Sequence, residues 1–97
     1  MVLRIAGKNF DIGQALREHI DTSVTGSVRK YFDGGYSGQA TVSKNGRMFE
    51  TELLLHIDTG KVFEAGGSAD DAHVSFDMAA ERLDKQLRRY KRRLKEH

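Results

Sequence analysis

Apolar positions along this chain change their period repeatedly, and each change marks a new element. Val2, Arg4 and Ala6 alternate with Leu3 and Ile5, the period-two pattern of a strand. Ile12, Leu16, Ile20, Val24, Val28 and Phe32 then recur at every fourth position, which puts them on one face of a helix. Asp11, with Gln14 three residues later, predicts a capping box at its start. The middle of that helix is weak. Thr22, Ser23, Thr25 and Gly26 are poor helix formers, and Gly costs about 1 kcal/mol against Ala, so a break is expected near Gly26 if anywhere. Asp33-Gly34-Gly35 supplies a left-handed residue to end it.

Two strands follow, joined at Asn45-Gly46, a dipeptide suited to a type I′ hairpin turn. Beyond the turn Phe49, Thr51, Leu53, Leu55 and Ile57 alternate with Glu50, Glu52, His56 and Asp58, and Leu54 alone disturbs the polar face. Asp58-Thr59-Gly60 turns the chain into a fourth strand, roughly 61–69, on which Phe63 and Ala65 share a face. Gly66 and Gly67 predict a bulge or bend near its end. The last segment is a long helix capped by Asp70 or Asp71, with Phe76, Ala79, Ala80, Leu83, Leu87, Tyr90 and Leu94 in one apolar stripe. About 26 residues at 1.5 Å rise make it roughly 39 Å long. The order β-α-β-β-β-α predicts an α+β fold, a four-stranded sheet with two helices packed on one face. Residues 1–97 form one domain, without linker, repeat or low-complexity tract.

Composition narrows the class. With 38% hydrophobic and 31% charged residues the chain is globular rather than disordered. No stretch approaches the roughly 20 apolar residues of a membrane span, and the N-terminus enters patterned sequence without an apolar signal region. There is no cysteine, which excludes disulfides and thiolate metal sites. A cytoplasmic location is expected.

Charge changes the picture more. Residues 1–81 carry 8 Lys or Arg against 12 Asp or Glu, a net −4, whereas residues 82–97 carry 8 against 2, a net +6. Taking about 100° per residue on the last helix with Leu83 at zero, Leu87, Tyr90 and Leu94 lie within roughly 40° of it and face the sheet. Lys85, Arg88, Arg89 and Arg92 fall at about 140° to 240°, on the opposite side. Arg82 and Arg93 flank the stripe on one side, Lys91 and Lys95 on the other. A helix held by its apolar face thus displays a row of cations, an arrangement that suits a phosphate backbone through counterion release. Arg outnumbers Lys in this row, which favours bidentate phosphate contact. A merely solvated face would mix signs in i,i+4 pairs, yet residues 85–95 hold seven cations and no acid. The helix dipole accounts for two or three of these, not all. Tyr90 could stack on a base, but its place in the stripe makes it a core residue first.

Other chemistries find little support. The four histidines, His19, His56, His73 and His97, sit on separate elements without HxxxH or HExxH spacing. Asp70-Asp71 is a helix cap rather than a catalytic pair, and Gly66-Gly67 lacks the Lys-Ser or Lys-Thr of a phosphate loop. No enzyme, catalytic residue, metal or cofactor is expected. A basic amphipathic helix also fits a membrane surface or a calmodulin-type partner, but this stripe is needed to cover the sheet and the chain has no Trp.

With those residues in view, the chain resembles the ribosome hibernation promoting factor family, which includes the ribosome-associated inhibitor also called protein Y and the sigma-54 modulation proteins. Ile5-Ala6-Gly7-Lys8-Asn9 is similar to the family's opening strand and turn. Ala15-Leu16-Arg17-Glu18-His19-Ile20 and Lys30-Tyr31-Phe32-Asp33 resemble the two ends of its first helix. Phe76-Asp77, Leu83-Asp84-Lys85-Gln86-Leu87 and Lys91-Arg92-Arg93-Leu94-Lys95-Glu96-His97 resemble its second. The resemblance implies a fold like that of double-stranded RNA-binding domains and a protein that occupies the messenger and transfer RNA channel of the small ribosomal subunit, halting translation in stationary phase. It implies RNA contacts from Lys85, Arg88, Arg89 and Arg92 with their flanks Arg82 and Arg93, and weaker ones from Arg29, Lys30 and Lys8. The sequence departs from many relatives at His73, where they carry Tyr. Asp33-Gly34-Gly35-Tyr36 is similar to long forms of the family, which continue into a second, dimerising domain. The alternative is a general double-stranded RNA-binding module, since fold and charge alone do not choose between a duplex and a ribosome.

Overall fold

In the computed structural model, which describes residues 2–95, the chain forms β1 (Val2–Lys8), α1 (Gln14–Tyr31), β2 (Tyr36–Asn45), β3 (Met48–Ile57), β4 (Val62–Ala69) and α2 (Ala72–Lys95). β1 pairs in parallel with β2, while β2–β3 and β3–β4 are antiparallel, so strand order in the sheet follows the chain. The expected β-α-β-β-β-α order and α+β class are those observed.

Both helices cover one face of the sheet. Ala40, Val42, Leu53, Leu55, Ile57 and Phe63 point into it and meet Leu16, Ile20, Val24 and Val28 of α1 and Phe76, Ala79, Leu83 and Leu87 of α2. Thr51 is the polar residue on that face. Ser75 Oγ donates to the Ala72 carbonyl at 2.9 Å, which leaves the Thr51 hydroxyl to donate to Ser75 Oγ at 2.8 Å. The buried hydroxyls are thereby satisfied. Ser37, Gln39, Glu50, Glu52, His56 and Glu64 lie on the other face, open to solvent.

Several local expectations are overturned, most of them by a contact from elsewhere in the chain. The Asp11–Gln14 capping box does not form. Phe10 and Ile12 both pack against the core, which keeps the chain extended past Asp11. Helix α1 therefore starts at Gln14, with Gly13 as an N-cap lacking any side-chain hydrogen bond. Gln14 instead donates to Glu18 Oε1 at 2.8 Å. No break occurs at Gly26: Val24 and Val28 are fully buried on either side of it, and burying each contributes about 1.5–3 kcal/mol, more than the glycine costs.

The end of α1 differs too. None of residues 33–35 adopts a positive φ. The helix stops because Phe32 turns extended (φ −138°, ψ 141°), its N–H still reaching the Val28 carbonyl at 2.8 Å, and its ring lies 6.0 Å from that of Tyr90. A Cβ at Gly34 would meet the Asp58 carboxylate, so a larger residue there would have to displace that exposed side chain. In the hairpin, Asn45 remains paired with Met48. The turn residues are Gly46 and Arg47, and only Gly46 has positive φ (62°). That is the type II′ pattern, because type I′ needs positive φ at both positions.

Gly66 and Gly67 make no bulge, for β3–β4 pairing is continuous from Phe49↔Ala69 to His56↔Val62. Gly67 is there because α2 lies against it: an added Cβ would meet the Ser75 carbonyl oxygen and come within 2.8 Å of the Ala79 nitrogen. Asp71 caps α2 as expected, its Oδ1 accepting from the Val74 N–H at 3.0 Å. Leu94, placed in the apolar stripe, is 47% exposed because the last turn of α2 carries it beyond the hydrophobic core.

These two glycine environments predict substitutions of opposite sign. Gly67→Ala forces backbone atoms apart and should destabilise by about 1–3 kcal/mol. Gly26→Ala meets open space within a helix and should stabilise by about 0.5–1 kcal/mol. Urea unfolding of both variants checks this; a loss at both positions would contradict the account of α1.

Candidate nucleic-acid interface

The two helices run parallel. Going along both from their N-termini, His19 meets Asp77, then Tyr31 meets Asp84, then Phe32 meets Tyr90. Their C-terminal ends therefore share one end of the molecule with the β3–β4 turn. Of the acids of the helical layer, Glu18 and Asp21 on α1 and Asp77 and Glu81 on α2 lie in the N-terminal halves, and Asp84 lies just past the middle of α2. The layer's cations, Arg17 and Arg82 apart, gather in the C-terminal halves, where those of the last turns also complement the helix dipoles. The parallel alignment was not visible from charge counts along the chain, which showed only that its last 16 residues are basic.

The expected site residues do not form one uniform set. Arg88, Arg89, Arg92 and Arg93 are exposed on α2 and have no ion pair or hydrogen bond among the described residues. They form the uncompensated row. Lys85 lies in the same row but is 3.4 Å from Glu81 Oε1, one turn back; both are exposed, and such a pair contributes only about 0.3–0.5 kcal/mol. Arg82 leaves the row, donating to the Gly66 carbonyl on the outer edge of β4. Gln86 does the same to the Glu64 carbonyl at 2.7 Å. Together they occupy backbone acceptors that an edge strand would otherwise offer to another chain.

On α1, Arg29 closes the helix end by donating to the Asp33 and Gly34 carbonyls at 3.2 and 3.4 Å. Lys30 reaches across to α2, its Nζ 2.9 Å from Asp84 Oδ1, while the Tyr31 hydroxyl donates to Oδ2 at 3.2 Å. Oδ1 is enclosed and has no hydrogen-bond partner of good geometry, so the Lys30 charge is what compensates it. Burial pushes the Asp84 carboxyl up, but the Lys30 ammonium and the Tyr31 and Ser27 hydroxyls outweigh it and hold the group below the usual carboxylate range. Asp84 in turn raises the Lys30 ammonium above the usual lysine range. Lys8 lies apart from all of these. It ends β1 opposite Ser43, near the β2–β3 hairpin and so at the other end of the molecule.

A residue absent from the sequence expectation joins the basic end. Lys61, from the β3–β4 turn, lies with its Nζ 5.8 Å from the Tyr90 ring centroid and 5.9 Å from that of Phe63. On sequence alone it is a single lysine beside a turn, and only tertiary packing brings it to α2. Tyr90 is packed in the core edge as expected, edge-on to Phe63 at 5.6 Å. The histidines are less scattered than the sequence implied: His19 and His73 rings lie 5.8 Å apart, and His19 Nε2 is 2.7 Å from Asp77 Oδ1. No group of three potential ligands able to hold a metal exists among the described residues, and His97 lies outside them.

Residues 3–95 match the family model described as "Sigma 54 modulation protein / S30EA ribosomal protein". The chain is 48% identical over 97 residues to a protein named ribosome hibernation promotion factor from Rhizobium meliloti (strain 1021), covering 100% of this chain and 51% of that one. It is 47% identical over 96 residues to a protein of the same name from Bradyrhizobium diazoefficiens, covering 99% of this chain and 47% of that one. The chain thus spans about half the length of these curated relatives. The crystal structure of the Thermus thermophilus Protein Y N-terminal domain superposes with a TM-score of 0.82 at 23% identity, covering 90% of this chain and 94% of that one, and shares the fold.

The Asp84 pair carries a pH signature. Its folded pKa lies below the unfolded value of about 3.9, so its stabilisation is present above that value and is lost as pH falls through the folded one. Asp84→Asn should lower the urea midpoint modestly at pH 7 and lose less stability than the parent between about pH 5 and pH 2. Identical acid limbs for the two proteins would remove Asp84 from this role.

Proposed function

The chain belongs to the sigma 54 modulation protein / S30EA ribosomal protein family, and on that premise we propose that it is a cytoplasmic ribosome hibernation factor. In this reading it binds the small ribosomal subunit in the messenger and transfer RNA channel and blocks translation by occupying space. The observation that carries the proposal is the row of Arg88, Arg89, Arg92 and Arg93, uncompensated among the described residues on one side of a helix whose other side is buried as Phe76, Leu83 and Leu87.

Physical features of the site support the channel reading. The cations are preformed, so little ordering entropy is lost when phosphates meet them. The body measures 47 × 22 × 19 Å, elongated enough to enter an RNA-lined cleft. Its charge is polarised along the helices, which orients it: the C-terminal ends are drawn to RNA and the acidic N-terminal halves are repelled. Inhibition is then stoichiometric and reversible, and transfer RNA competes with it. No chemical step is involved.

Sucrose-gradient sedimentation with isolated small subunits tests the proposal. If about five phosphates are neutralised, raising salt from 50 to 200 mM should weaken binding by roughly 10²–10³. Reversing Arg88, Arg89 and Arg92 to Glu should abolish co-sedimentation while leaving the melting temperature almost unchanged, since all three are exposed. Retained binding by the triple variant, or co-migration with free duplex RNA only, would refute the site or move the function to general duplex binding.

A further inference from the structure

The lysines near the basic end divide by what orders them. Lys30 and Lys85 face carboxylates, Asp84 at 2.9 Å and Glu81 at 3.4 Å, although Lys30 Nζ also lies 5.4 Å from the Tyr31 ring centroid. Lys61 and Lys91 face aromatic rings instead. Lys91 Nζ lies 5.6 Å from the Phe32 centroid, and Lys61 Nζ lies 5.8 Å from Tyr90 and 5.9 Å from Phe63. The three rings form one cluster, with Tyr90 at 6.0 Å from Phe32 and 5.6 Å from Phe63, and the Tyr90 hydroxyl is 3.3 Å from Thr59 Oγ1 in the same turn as Lys61. The cluster joins the end of α1, the start of β4 and the last turns of α2. Among the described residues neither ammonium has a carboxylate within ion-pair distance.

Ring and carboxylate anchoring have different consequences. A carboxylate orders a lysine and cancels its charge. An aromatic face also orders it, through the ring quadrupole and contact with the methylene stem, but leaves the full charge available. An ordered, uncancelled ammonium loses less side-chain freedom when it meets an anion. Such groups on the turn before β4 and on α2 are suited to a phosphodiester, a strong acceptor that a strongly hydrated ammonium meets as a point charge.

We infer that Lys61 and Lys91, held over the Phe32–Tyr90–Phe63 cluster, form a second phosphate-binding site for RNA, continuing the outward arginine row of α2 around the end of the domain. This rests on the ribosome-binding reading above and adds a contact from the sheet side. One consequence is that bound RNA follows the basic end of the molecule rather than only the outer face of α2.

The test compares the parent protein with Lys61→Gln/Lys91→Gln and Lys61→Arg/Lys91→Arg. Binding to isolated small ribosomal subunits is measured from 50 to 200 mM salt, at a temperature where circular dichroism shows all three folded. The slope of log affinity against log salt should fall by about 1 for each lysine removed, so by about 2 in the glutamine variant. The arginine variant, which keeps both the charge and the ring contact, should hold the parent slope. A glutamine variant with parent affinity and slope overturns the inference and leaves the ribosome reading standing. An affinity loss with unchanged slope shows a packing role and overturns it as well. Failure of the parent to bind subunits at all removes the functional reading and this inference together.

Discussion

The approach of α2 to β4 at Gly67 sets the rest of the structure. The Ser75 carbonyl and the Ala79 nitrogen stand where any side chain at position 67 would begin. That contact lets the helix axis come close enough for Phe76, Ala79, Leu83 and Leu87 to be buried against the sheet. It also fixes the helix lengthwise. Arg82 and Gln86 can reach the Gly66 and Glu64 carbonyls only in this register, so the same placement that fills the core shields the outer edge of β4. The other outer strand, β1, has its Ile5 carbonyl taken by Arg17 at 3.1 Å.

Once α2 is fixed, α1 is aligned against it in parallel, and electrostatics follows from that alignment. The basic last turns, with Arg29 and Lys30 on α1 and Arg92, Arg93 and Lys95 on α2, each complement their own helix dipole and come together when the helices point the same way. The domain acquires one basic end and one acidic side of its helical layer. Crowding cations along α2 costs a few tenths of a kcal/mol per like-charged neighbour pair. Burial of Phe76, Leu83 and Leu87 contributes about 1.5–3 kcal/mol each. The core therefore holds in place a row of charges that an isolated helix would not keep ordered, and this is the physical link between the fold and the proposed phosphate binding.

Within that row the structure sorts cations that look alike in sequence. Arg88, Arg89, Arg92 and Arg93 stay uncompensated among the described residues, whereas Arg82 is bound to a strand edge, Arg29 to a helix end and Lys30 to Asp84. Each committed residue faces an acceptor on another element or at a chain reversal. The free ones project where no other element lies. Lys61 and Lys91, over rings and without a carboxylate among the described residues, are an intermediate case, ordered but still charged.

The sequence by itself determined the element types, their order, the two faces of α2 and the resemblance to a ribosome-associated family. All depend on periodicity and residue type within one segment, which neighbouring residues impose directly. Tertiary structure decided the rest. Phe10 and Ile12, drawn to the core, moved the start of α1 past Asp11. Buried Val24 and Val28 carried that helix through Gly26. The backbone of α2 made Gly67 a close-approach position rather than a bulge. Lys8 went to the far end and Lys61 came to the basic one because strand direction, not sequence distance, placed them. Each depends on a group that arrives from a distant segment, and a pattern read along one segment carries no record of it.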